Sequence, residues 1–299
     1  MRDDLPGTAA VGKWLTRMGL TGDETMDTIL KLYPLPAQEL PLEGAYLAHD
    51  LRQYAEKTNK PFIYANFVVS LDGRIAIPHP SGRGLTVPQA TANARDWRLF
   101  QELAAQADLV LSSGRYLREW AEERAQEILR VDDPRFADLE RWRKARRLAP
   151  LPDIAIISAS LDFPIPPVLT AGGRKALVFT TANPDPGRVE QIEAQAGQVL
   201  VAGENSVNGS RLVGHLAELG YHTVYSAAGP RILHLLAEKN VLDRLYLTYA
   251  SRMLGGRPFS SILEGPALTP ALDFKIHHIY LDPHALGGSG QLFLSYDRV

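Results

Sequence analysis

The stretch NFVVSLDGRIA, Asn66 to Ala76, decides how the chain is read. It opens on the apolar run Phe67, Val68 and Val69 and stops on Ser70, Asp72, Gly73 and Arg74. An unbroken apolar run is the pattern of a strand covered on both faces, as in a parallel sheet. Asp-Gly is in itself an ordinary turn pair. In an open parallel sheet, however, ligands bind outside the carboxyl ends of the strands. The same residues then become the rim of a pocket, and the surrounding sequence has to choose between the two readings.

From Pro61 onward, apolar runs alternate with helical patterns. The expected strands are FIYANFVV, LVLSS, DIAIIS, ALVFT, QVLVA, HTVYS, LYLTYAS, KIHHIYL and QLFLSY. Helical periodicity fills PQATANARDWRLFQELAAQ, YLREWAEERAQEILR, PRFADLERWRKARR, GRVEQIEAQ, SRLVGHLAELG and PRILHLLAEKN. This alternation predicts an α/β fold with a mixed, mostly parallel sheet flanked by helices. The last strands have little helix between them, so the sheet is expected to finish antiparallel. Residues 1–60 read as a helical arm packed on the main domain of residues 61–299, with one helix near Asp23 to Leu32 and another in AYLAHDLRQYAEK. Four strand ends, SLDGR, SSGRY, SAS and SAAGP, are small or glycine-bearing, which lets a ligand approach the backbone. That coincidence favours the pocket rim, with Asp72 and Ser70 as the expected catalytic pair: Asp72 as the carboxylate that orients the substrate or polarises its nitrogen, and Ser70 as a hydrogen-bond donor.

Composition narrows the function. The 299 residues are 45% hydrophobic and 22% charged with a formal net charge of -2, which gives no bias towards nucleic acid. The chain has no cysteine, which removes disulfides, thiolate nucleophiles and zinc–thiolate sites, the nucleobase deaminases among them. No apolar run reaches membrane-spanning length and no secretory signal opens the chain, so cytoplasmic residence is the expectation. G-x-G-x-x-G, the Walker A loop, G-x-S-x-G and H-E-x-x-H are all missing. His277 and His278 are adjacent, and on a regular strand they would face opposite sides in a structural role. The basic run Arg141 to Arg147 reads as a solvated helix face. The segment from Tyr116 to Pro150 reads as a lid or a dimer element.

NFVVSLDGRIA, AAGPRILHLLAEKNVLDRLYL and SRMLGGRPF, in this order, resemble the reductase domain of the bifunctional riboflavin-biosynthesis deaminase–reductase and the related stand-alone pyrimidine reductases. The resemblance implies a dihydrofolate-reductase-like fold, NADPH as cofactor, reduction of a small heterocycle or glycosylamine, and a homodimer. It also implies cofactor contacts from Val68 and Val69 through backbone, from Ser158 with Thr180 nearby, and from Tyr116 at a position where the family carries threonine. The phosphates would fall on the segment holding Gly229, Pro230, Arg231, Ile232 and Leu233. Here the residues speak for themselves as well: glycine admits close approach, proline suits a first helical turn, and helix-terminal amides attract phosphate.

At two positions where the family contacts its phosphoribosyl substrate, this chain has Ala104 and Ala227. Charge-assisted hydrogen bonds are worth about 1.5–3 kcal/mol each, so the loss of two predicts a different substrate. A second reading is a nucleotide-binding protein that keeps the fold without turnover. NADPH oxidation with candidate pterins and aminopyrimidines separates the two.

Overall fold

The strand that ends on Ser70 is the centre of the sheet. The computed structural model describes residues 28–299 except 81, 83, 126 and 196. The strands are β1 (Thr28–Tyr33), β2 (Gln38–Pro41), β3 (Phe62–Ser70), β4 (Ile77–Pro78), β5 (Leu85–Thr86) and β6 (Leu109–Ser113), followed by β7 (Asp153–Ile157), β8 (Ala176–Thr180) and β9 (Gly197–Val201). β10 (Thr223–Ser226), β11 (Arg244–Ala250), β12 (Phe274–Asp282) and β13 (Gln291–Arg298) complete them. The helices are α1 (Arg52–Thr58), α2 (Ala94–Ala105), α3 (Gly114–Ala121) and α4 (Ala137–Ala145), then α5 (Pro186–Ala194), α6 (Gly209–Glu218) and α7 (Pro230–Glu238).

Eleven strands form one sheet in the order β2-β1-β12-β13-β11-β3-β10-β6-β7-β8-β9. From β11 to β9 neighbouring strands are parallel, and from β11 back to β2 they are antiparallel. This is the expected mixed, mostly parallel sheet that finishes antiparallel. The alternation of β3 splits the core. Phe62 and Tyr64 join Leu99, Leu103 and Leu139 beneath α2 and α4, whereas Ile63, Ala65, Phe67 and Val69 join Leu212, Leu216, Leu233 and Leu236 beneath α6 and α7. Among the described residues, no helix is long and apolar enough to cross a membrane.

Three expectations need correction. The helix expected near Asp23 to Leu32 is a strand over Thr28–Leu32, and Asp23 to Asp27 lie outside the described residues. Pro34 and Pro36 bar helical continuation, and the backbone of β1 instead pairs with β12. His277 and His278 do not face opposite sides. The register shifts between Ile276 and His278, and this bulge brings their rings to 4.2 Å on one face. Arg143, expected in solvent, is buried and donates to the carbonyls of Ala105 (2.7 Å), Ala107 (2.8 Å) and Ala149 (2.7 Å). It closes the C-terminal end of α2, while Arg141, Lys144, Arg146 and Arg147 remain exposed. The segment after Tyr116 buries Ile128, Leu129, Phe136 and Leu139 against α2, as part of the sheet's cover.

Candidate active site

β3, β10, β6, β7 and β8 end along one edge, and most of the candidate residues stand on those ends. With strands about 4.8 Å apart, the edge from β3 to β8 spans roughly 19 Å, the scale of an extended dinucleotide.

Ser70 and Asp72 are held in a staple between two loops. The Asp72 carboxylate accepts from the Ser70 hydroxyl (2.5 Å), Arg74 Nη1 (2.6 Å) and the amides of Gly255 (2.8 Å) and Leu254 (3.2 Å). The Ser70 bond, followed by the Gly255 amide, brings its pKa down to about 2. Arg74 also donates to the Gly256 carbonyl at 3.1 Å and lies over the Phe259 ring. The SLDGR turn is thereby fastened to the glycine-rich loop after β11, where Gly255 and Gly256 adopt φ of 65° and 87°, values that favour glycine. Val68 is half-buried against Ala250 and Leu286, whereas Val69 is buried in the opposite core and offers the edge only its backbone.

On the next strand, the amide of Ala227 bonds the Leu111 carbonyl at 3.0 Å, and the chain then turns into α7 at Gly229. The amides of Ala228, Gly229 and Arg231 donate to no protein acceptor among the described residues, and a Cβ built on Gly229 would meet nothing within 4 Å. Pro230 shapes the first turn and has no N–H to give. Ile232 and Leu233 point into the core and give their amides to the Gly229 carbonyl at 3.0 and 3.2 Å. Arg231 therefore carries the helix amide left for a phosphate. Farther along, the Ser158 hydroxyl accepts from the Leu161 amide at 3.2 Å. Thr180 is fully buried at the end of β8, and its Oγ1 has no protein partner. Tyr116 is half-buried beside Trp120, and burial raises its hydroxyl pKa.

The sequence reading missed the chemically most distinctive group. Asp96, in the first turn of α2, is buried over the sheet face that carries Asn66, Val68 and Thr248. Burial raises its pKa to about 6, opposed by a hydrogen bond from the Thr248 hydroxyl. Beside it on α2, Trp97 and Phe100 are half-buried and stacked at 4.8 Å. Phe100 meets Tyr225 edge-on at 5.6 Å, and the Tyr225 hydroxyl donates to Asn66 Oδ1 at 2.5 Å. Together these groups set a flat aromatic wall, an amide–phenol pair and one carboxyl of perturbed acidity on one side of the sheet. A carboxyl pushed toward neutrality by burial is a physical marker of an active site. Ala227 is half-buried on the same core, in which Ala104 is wholly buried. The cations of α2 are already committed, Arg95 to Asp282 at 2.7 Å and Arg98 to Glu102 (2.9 Å) and Asp138 (2.5 Å).

Residues 61–288 match the family described as the RibD C-terminal domain. No curated protein sequence matches the chain. Among solved structures, the chain is similar to a pyrimidine reductase-like protein of Corynebacterium diphtheriae, at 18% identity and a TM-score of 0.62 over 83% of this chain and 98% of that one. It is also similar to RibD of Acinetobacter baumannii, at 15% identity and a TM-score of 0.54, covering 82% of this chain and 60% of that one. The riboflavin biosynthesis reductase Rib7 of Saccharomyces cerevisiae gives 15% identity and a TM-score of 0.52 over 86% of this chain and 99% of that one. At these identities the structural likeness shows the fold.

Proposed function

Because the chain belongs to the RibD C-terminal domain family, we propose that it is an NADPH-dependent reductase of a small planar heterocycle bearing no phosphate, with Asp96 as proton donor. The observation that carries the reading is the buried Asp96 carboxyl, its pKa raised to about 6, beside Thr248 and the Trp97–Phe100 wall.

The unmet amides of Ala228, Gly229 and Arg231 and the partnerless Thr180 hydroxyl fit a phosphorylated dinucleotide along the strand ends. Those groups, Ser158 and the main chain of Val68 and Val69 would hold it. When bound, a dihydronicotinamide supplies the hydride. Trp97 and Phe100 offer a flat apolar wall that orients an aromatic ring. Asn66 and Tyr225 present polar atoms to the ring edge. Asp96 holds its proton to higher pH than an exposed carboxyl and delivers it to the nitrogen of a carbon–nitrogen double bond as the carbon is reduced. It is left as carboxylate and recovers the proton from solvent. Ser70 and Asp72 fix the turn on which this floor rests, so their part in this reading is positional. Residues 61–299 carry the reaction, and residues 28–60 extend the sheet through β1 and β2 and pack α1 beside it.

Ala104, Ala227 and the committed arginines argue against a phosphoribosyl substrate, which needs a cation. The apolar face formed by Leu30, Tyr33, Ile276 and Leu292 is exposed on β1, β12 and β13, and we infer that a second copy of the chain covers it. Leu292→Arg is then expected to shift the chain to monomer in light-scattering chromatography.

The deciding experiment pairs melting with turnover. NADPH at a hundred times its Kd is expected to stabilise the chain by about 2.7 kcal/mol. NADPH oxidation with pterins and aminopyrimidines is expected to fall at least a hundredfold in Asp96→Asn, with the NADPH melting shift retained. No shift with NADPH, or full turnover in Asp96→Asn, overturns the proposal. A shift without oxidation across the panel marks the protein that only binds nucleotide.

A further inference from the structure

A second polar site is buried at the other end of β11, about 13 Å along the strand from Thr248. Tyr246 on β11, Ser295 on β13 and His278 on β12 stand side by side in register, on the face covered by His49 and α1. One step away, Arg244 grips Asp297 through Nε at 2.5 Å and Nη2 at 3.1 Å. Three side-chain atoms here are shut off from solvent and have no partner within hydrogen-bond distance among the described residues: Arg244 Nη1, whose guanidinium lies beside Tyr246 and Tyr54, His278 Nδ1 and Ser295 Oγ. Arg244 and Ser295 are 0% and 1% exposed. Natural proteins seldom leave one such atom unmet, and three on neighbouring residues point to a shared partner.

Chemistry selects that partner. The guanidinium N–H only donates, the hydroxyl can donate, and the imidazole Nδ1 donates in its neutral N–H tautomer as well as in the charged ring. His49 cannot fill the role, since its ring nitrogens are taken by the hydroxyls of Tyr246 and Tyr280 at 2.8 Å each. Around His278 stand the cations Arg244 and Lys31, the imidazole of His277 and the carboxylate of Asp297, which is already held by Arg244 and lies 3.3 Å from His277. Tyr46, Tyr246 and Tyr280 stay protonated through burial, and the Tyr54 ring lies under the Arg244 guanidinium. His49 stacks on His278 at 4.4 Å, so a species shared by the three atoms has to be compact.

We propose that this buried cluster is a binding site for a small inorganic anion of halide size, held by Arg244 Nη1, Ser295 Oγ and the protonated Nδ1 of His278, and that the anion fastens the arm to the sheet through His49. Without it, His278 is held down to about 4 by burial first and then by His277, Arg244 and Lys31. An anion at Nδ1 favours the charged ring over the neutral N–H tautomer, so binding draws a proton and affinity follows pH.

The test uses the full chain in sodium bromide or chloride against sodium gluconate at equal ionic strength, at pH 5 and pH 7. Halide is expected to raise the melting temperature saturably, with an apparent Kd up to tenfold tighter for each unit by which pH falls toward 4. A bromide soak is expected to give an anomalous peak among Arg244, His278 and Ser295. Ser295→Ala, which removes one hydroxyl, and His278→Gln are expected to lose both the halide effect and its pH dependence. Equal melting in the two salts, the same halide effect in both variants, or bound water with no bromide peak overturns the proposal. None of these outcomes depends on the reductase reading.

Discussion

Replacing Asp96 with asparagine is expected to stabilise the protein while removing its turnover. Folding moves this carboxyl from 3.8 to about 6 because burial outweighs the Thr248 hydrogen bond. A carboxyl whose folded pKa lies above its unfolded one binds its proton more tightly in the folded state. Its contribution is thus most favourable below 3.8 and is lost as pH rises through about 6. A displacement of two pH units at 1.36 kcal/mol each makes the cost of the ionised folded state about 3 kcal/mol above pH 7. Asparagine fills nearly the same volume without ionising. The variant is therefore expected to be more stable than the parent by up to about 3 kcal/mol at pH 8, and about equal to it near pH 4. For a chain of this size that gap corresponds to roughly 6 °C in Tm. Urea denaturation of both proteins at pH 4, 6 and 8 measures it directly. If the two stability–pH curves stay parallel, or the variant is the weaker at pH 8, Asp96 is not the buried acid described above.

Arg143→Ala strips donors from the carbonyls of Ala105, Ala107 and Ala149. It is expected to cost about 3 kcal/mol or more in urea denaturation, because buried carbonyls lose a charged donor. A loss below about 1 kcal/mol would mean that solvent reaches those carbonyls. Ala104→Arg, which restores the cation of the phosphoribosyl-binding relatives, is expected to destabilise by about 4 kcal/mol without creating affinity for a sugar phosphate. The position is wholly enclosed by the core, and tight binding of a ribose phosphate to that variant counts against the assignment of the site. Asp72→Asn is expected to speed hydrogen exchange at the Leu254 and Gly255 amides and to weaken NADPH binding. Unchanged exchange there would show that the loops hold together without the carboxylate. Since the Asp72 pKa is lowered to about 2, its anchoring is present above 3.8 and is lost as pH falls through about 2, so acid is expected to loosen the same two amides.

The parallel part of the sheet was legible because its strands are covered on both faces and read as unbroken apolar runs. β1 and β2 were not. Thr28–Tyr33 has one exposed face, and its partner β12 lies at the far end of the chain, so no local signal distinguishes it from the end of a helix. The bulge at His277 was hidden for a similar reason, since a register shift is a property of paired strands. Arg143 was misread because four of its basic neighbours are indeed exposed. What sets it apart is the unmet C-terminal end of another helix.

The site divides in the same way. SLDG and AAGP are legible because backbone geometry restricts the residues that can occupy such turns. Asp96 is not, because an acid in a first helical turn is ordinary, and its altered acidity comes from burial beneath elements far along the sequence, against which the Thr248 hydrogen bond works. Helical spacing puts Asp96, Phe100 and Ala104 on one stripe of α2, at i, i+4 and i+8. Where the phosphoribosyl-binding relatives place a cation at the third of these positions, this chain has a buried methyl group, and the acid sits at the first. On the proposed reading the stripe offers no charge to a substrate's phosphate and sets a proton donor beside an aromatic wall. A ligand satisfied by that arrangement is recognised by its ring and its protonatable nitrogen. On the proposed reading, Ala104 and the buried aspartate are two sides of one change of substrate.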